Sequence, residues 1–270
     1  MMKNKNWFRL SCLAALLALG SRAAAAQPFV IETRFLGKAL TAEQKATVIS
    51  GTQRVAALIT SRYAPVRVDL PANSCDKGIP RLKERLTHFV IFVTVKNISE
   101  DEYAESAPCE LHDDTYLPIY ASIFLNARIL KDLPQVDLLD TMIHETLHAL
   151  GVGTLWEPDS RVSLNLYSDE KNFTRKIGGT LYYTGKNAVA AYRKLGGRKP
   201  GVPLDPDAGH WSGDAVCSEI VSGDAGNYLG HVNPISPITL GALQDLGYAV
   251  NLKAADRFSL PDGSCPVGDE

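Results

Sequence analysis

The sequence predicts an α+β fold in two lobes. The upper lobe is a mixed β-sheet carrying one long helix, and the lower lobe is irregular and partly helical. Three observations lead there. Short runs of β-forming residues recur in the first half at 29–35, 88–95 and 119–125. Two helical patterns with their own start and stop signals interleave with those runs, which implies helices packed on a sheet. From about residue 152 the composition turns to Gly, Asp, Asn and Pro, with only two clear helices.

The elements follow in order. At 29–35 (F-V-I-E-T-R-F), Phe29, Ile31, Thr33 and Phe35 alternate with Val30, Glu32 and Arg34, a strand pattern. Thr41 and Gln44 form a capping box for a helix over about 42–60, with Val48, Ala56 and Ile59 on its apolar face. Residues 66–70 read as a short strand and 71–80, with Pro, Asn, Gly and Cys75, as a loop. The nearly continuous β-formers of 88–95 suit a central strand, and His88 at its start reads as structural. Residues 119–125 form the next strand, either internal or an exposed edge on which an extended peptide could add. Over 136–150, Val136, Leu139, Met142, Ile143, Leu147 and Leu150 recur at helical spacing, with Pro134 at the start and Gly151 at the end. Later helices are expected at about 187–195, stopped by Gly196-Gly197, and at 237–246, with Ser236 as cap, Pro237 first and Gly247 as stop.

Residues 1–26 have the form of an export signal. Lys3, Lys5 and Arg9 precede an apolar stretch too short to span a bilayer, and Ala24-Ala25-Ala26 offers a cleavage site before Gln27. Cys12 lies too early in that stretch for a lipid-attachment box. The remainder reads as one domain, 27–270, with an upper lobe over about 27–151 and a lower lobe over about 152–270. No later segment is long and apolar enough to cross a membrane, so a periplasmic or extracellular location without a membrane anchor is expected. The net charge of −2, with both signs interspersed, excludes a nucleic-acid partner. Once the signal is removed, Cys75, Cys109, Cys217 and Cys265 remain, an even number that reads as two disulfides. Three pairings are open. Cys75–Cys109 with Cys217–Cys265 is favoured, because the helix at 136–150 falls between the two pairs. No C-x-x-C spacing points to a metal site at these cysteines.

The chemistry centres on His144-Glu145-Thr146-Leu147-His148. Two histidines four residues apart project from one face of a helix and can bind one zinc ion, with Glu145 beside them as general base. Such an ion takes a third protein ligand and keeps one position open for water. Among the 6 histidines the third is to be sought in His88, His112, His210 or His231, or in a carboxylate. His112 adjoins Asp113-Asp114 and reads as surface. His210 and His231 both lie in loops of the lower lobe. A short pattern would place the third His at 154, where Thr154 stands.

Residues 144–156 resemble the zinc helix of the leishmanolysin-type metzincin peptidases, particularly their bacterial secreted relatives. In that family the turn glycine, here Gly151, is followed by a large insertion before the third His. The likeness continues in Y-T-G-K-N-A-V-A-A-Y (183–192), G-H-W (209–211), S-E-I-V-S-G (218–223) and I-T-L-G-A-L-Q-D-L-G-Y-A-V-N (238–251). The resemblance implies a metzincin-like zincin fold, His144, His148 and His210 as metal ligands and Glu145 as base, with His231 the rival for the third position. It also implies a methionine turn beneath the metal, where this chain has Val221. Glu219 matches a family glutamate, in either a supporting or a purely structural role. Relatives from other lineages carry a cysteine-bearing pro-segment; with a strand beginning so soon after Gln27, none is expected.

The expected function is therefore a secreted zinc metalloendopeptidase acting on protein or peptide substrates. Glu145 takes a proton from a zinc-activated water and passes it to the leaving amine. The alternatives are a zinc hydrolase of a non-protein amide, and a decayed binding module on the same scaffold. Trp156 and Trp211, flanking the ligand segments, read as lower core before cleft. Asp205, Asp207, Asp214, Asp224 and Asn227 could bind a calcium ion but lack the spacing of a calcium loop, and solvated turns are the better reading.

Overall fold

A computed structural model describes residues 28–100, 102–157 and 172–265; the export signal read at 1–26 lies outside them. The class is α+β. The upper part contains β1 (Ile31–Phe35), α1 (Ala42–Ala56), β2 (Val66–Leu70), β3 (Leu82–Leu86), β4 (Phe89–Lys96), β5 (Ala104–Leu111), β6 (Pro118–Asn126) and α2 (Gln135–Ala149). The lower part contains β7 (Thr174–Ile177), β8 (Thr180–Tyr183), α3 (Lys186–Lys194), β9 (Val202–Pro203), α4 (Gly213–Val216) and α5 (Pro237–Leu246).

The main sheet has the order β1-β4-β6-β5. β1, β4 and β6 run parallel and β5 is antiparallel at the edge. β4 explains its own composition. Phe89, Ile91 and Val93 face a core shared with α1 and α2, whereas Val90 and Phe92 face a smaller core under the β2–β3 hairpin. A strand buried on both faces is apolar at nearly every position. All nine residues of β6 are buried, so the strand expected at 119–125 is internal and is not an exposed edge. That edge belongs to β5, which the sequence reading missed. Its Pro108 and its charges argue against a strand; Pro is tolerated there because β5 lies at the sheet margin, with a register shift between Pro108 and Glu110. β3 was missed as well, since L-K-E-R-L buries only its two leucines, against the hairpin core.

The predicted helices are present with their predicted signals. Thr41 and Gln44 form the capping box of α1. Gly151, at φ 103°, follows the end of α2. The Ser236 hydroxyl accepts the Ile238 and Thr239 amides at the start of α5. Asp245 of α5 also caps α3, accepting the backbone N–H groups of Asn187 at 2.9 Å and Ala188 at 3.1 Å. The three short strands β7, β8 and β9, which pair into a small sheet, were not foreseen. The larger core runs without interruption from Phe29 to Tyr248 and includes Trp156 and Trp211. Those two rings lie 4.4 Å apart and are fully buried, so they fill the core beneath the cleft. Both favoured disulfides are formed. Cys75–Cys109 joins the β2–β3 loop to β5, and Cys217–Cys265 joins the end of α4 to the C-terminal segment. They fit an oxidising, exported environment. Among the described residues no helix is long and apolar enough to cross a membrane.

Candidate metal centre

Helix α2 buries Leu138, Met142, Ile143 and Leu147 and turns His144 and His148 to its other side. After Gly151 the chain doubles back. Gly153, at φ 78°, lets it pass close under the site: a Cβ there would overlap the Gly209 carbonyl oxygen and stand 2.8 Å from His148 Nδ1. That close approach brings the 209–211 loop, and with it His210, against the helix.

The three imidazoles meet at their Nε2 atoms. The separations are 2.9 Å between His144 and His148, 3.2 Å between His148 and His210, and 3.4 Å between His210 and His144. The Nδ1 atoms are all engaged elsewhere. His144 Nδ1 lies 2.6 Å from the Ile220 carbonyl, His148 Nδ1 2.7 Å from the Val152 carbonyl, and His210 Nδ1 2.6 Å from Asp207 Oδ2. Carbonyl and carboxylate oxygens only accept, so each Nδ1 must carry the ring proton. A neutral imidazole has one proton, and three Nε2 lone pairs are therefore aimed at one point with no hydrogen among them. A shared cation would satisfy that arrangement. Nitrogens bound tetrahedrally at about 2.1 Å would lie about 3.4 Å apart, close to the separations here. The group can hold a metal ion.

Electrostatics favour the neutral form for two of the three rings. Burial pulls the pKa of His144 down to about 4, and burial reinforced by the neighbouring rings pulls His148 well below its ordinary value. His210 differs. Burial works against its charged form, but the Asp207 carboxylate outweighs burial and the pKa rises. Burial lifts Glu145 to about 7, with Ser106 nearby opposing the rise. Glu145 lines the same cleft as the three histidines, 6 % exposed, and the Ser106 hydroxyl donates to its backbone carbonyl at 2.9 Å.

The cleft has a volume of about 490 Å³. Its walls are Ala104, Glu105 and Ser106 at the edge of the main sheet, α2 on one side, and the 222–229 segment on the other. Glu102, Glu105, Asp137 and Asp140 make it acidic, and no Lys or Arg lines it among the described residues. Asp137 and Asp140 tie down the far wall by accepting the Gly230 amide at 2.7 Å and the Asn233 amide at 2.6 Å.

His144, Glu145, His148 and His210 thus come together. His231 does not join them. It is exposed in the loop beyond the far wall and is absent from the three-histidine group. His88 is exposed before β4, contrary to the structural role expected of it. His112 is half-buried edge-on to Tyr63, rather than on the open surface. Thr154 donates to the His148 carbonyl at 2.7 Å. Asp207 was read as a solvated turn or a calcium ligand; it is the hydrogen-bond partner of His210. Its spacing three residues before His210 was the available signal. Val221 is fully buried beneath the site, with its amide on Glu219 and its carbonyl on the Trp211 amide. The chain matches no protein-family model, and no curated protein is similar to it.

Proposed function

We propose that the protein is a secreted zinc-dependent endopeptidase of the metzincin kind, similar to the leishmanolysin-type peptidases. The observation that carries this reading is the convergence of three imidazole Nε2 atoms beside one buried carboxylate. Zinc suits an all-imidazole tetrahedral set with one position left for water, and when bound there it supplies Lewis acidity that acidifies water and polarises a carbonyl. Glu145, lifted toward neutrality by burial, is poised to accept a proton from the attacking water and return it to the departing amine. Ser106 keeps the Glu145 turn docked on β5. Among the described residues no strand pairs with the outer margin of β5, whose residues 104–106 line the cleft, and an extended peptide can add there as a fifth strand. The apolar stretch before Gln27 and the two disulfides support export.

The test is cleavage of denatured casein by purified protein, with and without a zinc chelator, beside the Glu145→Gln variant. The expected result is chelator-sensitive cleavage that falls by 10²-fold or more in the variant while zinc is still bound. Hydrolysis of small amides but of no protein would turn the assignment to a non-protein amide hydrolase. One bound zinc with no turnover of any peptide would leave a binding module.

A further inference from the structure

Glu219 is a carboxylic side chain with no exposed surface, set within the lower core. Among the described residues no Lys, Arg or His pairs with it. It accepts instead from the Val221 amide at 2.7 Å, the Ser236 amide at 3.0 Å and the Thr239 hydroxyl at 2.6 Å. Burying such a group is costly unless its lone pairs are filled, and here donors from two separate segments fill them.

Both segments lead to metal ligands. The first is the tight turn Glu219–Ile220–Val221–Ser222, closed by the Ser222 amide on the Glu219 carbonyl at 2.8 Å. Its Ile220 carbonyl is the acceptor that orients His144. The second passes through Thr239, whose hydroxyl also accepts the Trp211 indole N–H at 2.9 Å. Trp211 follows His210 directly, and its own amide bonds the Val221 carbonyl at 3.0 Å. One buried carboxylate therefore sits where the supports of two ligands, 66 residues apart in the chain, converge. We propose that Glu219 is a positioning residue of the metal centre, locking the Ile220 carbonyl that aims His144 to the Thr239–Trp211 link that carries His210.

This inference rests on the metal-centre reading above. The experiment is a zinc titration of the full chain against a competing chromogenic chelator, with thermal unfolding of the metal-free protein run in parallel. The variants are Glu219→Gln, which turns one acceptor into a donor, and Thr239→Val, which removes the relay to Trp211. Leu86→Ala, in the separate hairpin core, serves as a control for instability alone. Glu219→Gln is expected to weaken zinc binding 10- to 100-fold and Thr239→Val about 10-fold, while the control binds zinc as the wild type does despite a lower Tm. Zinc affinity within twofold of wild type in both variants, whatever their Tm, overturns the proposal. Should Glu219→Gln not fold, Thr239→Val decides alone by the same criterion. Wild-type protein that takes up no zinc defeats the metal-centre reading, and this one with it.

Discussion

Of the three converging imidazoles His210 alone is oriented by a carboxylate; its two companions lean on peptide carbonyls. A charged acceptor makes the ring a better donor of electron density to a cation and holds it more firmly than a neutral one. Asp207→Asn keeps the size of the side chain and loses the charge. Its expected effect is a 10- to 100-fold weaker zinc affinity, checked by chelator competition. The same three rings give the metal-free protein a definite pH response. His144 has a folded pKa near 4, below its unfolded value of about 6.5. The unfolded chain therefore takes up a proton first as pH falls, and stability is lost across that window. His148 acts in the same direction, and the raised pKa of His210 opposes them. Allowing for the opening of His144 to the cleft, its share is about 2 kcal/mol. Glu145 and Asp140, raised by burial to about 7 and about 6, take up protons first in the folded state and oppose this loss. The ring's share is therefore read by difference. In chelator-treated protein the change in denaturation midpoint from pH 7 to pH 4.5 should be less destabilising in His144→Asn than in wild type; an identical change in both would contradict the assignment of a neutral His144 ring.

Helix α2 and strand β5 form the working pair at the level of elements. The helix presents two of the candidate ligands and the proposed base, the strand the proposed substrate edge, and Ser106 joins them. Disulfides brace both supports. Cys75–Cys109 pins β5 from behind, and Cys217–Cys265 anchors the chain two residues before Glu219. With partners 34 and 48 positions apart in sequence, each closure restricts the unfolded chain by about 4 kcal/mol. The double variant Cys217→Ser/Cys265→Ser should lower the unfolding free energy by an amount of that order, measured in denaturant under non-reducing conditions. A loss below about 1 kcal/mol would show that the lower lobe does not depend on the bridge.

Across the molecule the net charge is only −2, yet the cleft concentrates carboxylates. Glu105 has Lys96 as an ion-pair partner at 2.8 Å, whereas Asp137 and Asp140 are met by neutral amides. The resulting local potential favours cationic peptide segments and repels acidic ones. Among otherwise identical peptides, those with Lys or Arg beside the cleaved bond should show a higher kcat/KM than those with Glu, and the gap should narrow at high salt. Equal rates for both at low ionic strength would remove this role for the cleft charge.

Local signals carried much of this: the capping box at Thr41, the stop at Gly151, the cap at Ser236 and the His144–His148 spacing all act within a few residues, and the folded chain keeps them. The strand at Pro108 and the burial of Glu219 depend on what lies opposite in space. Pro108 is tolerated because β5 is a margin, and Glu219 can be buried because distant donors surround it. Spacing along the chain encodes which side chains a single helix turn brings together. Packing alone brings the Ile220 carbonyl to His144 from 76 residues away, whereas His148 and His210 are aimed by Val152 and Asp207, four and three residues away, and packing decides only that their rings meet.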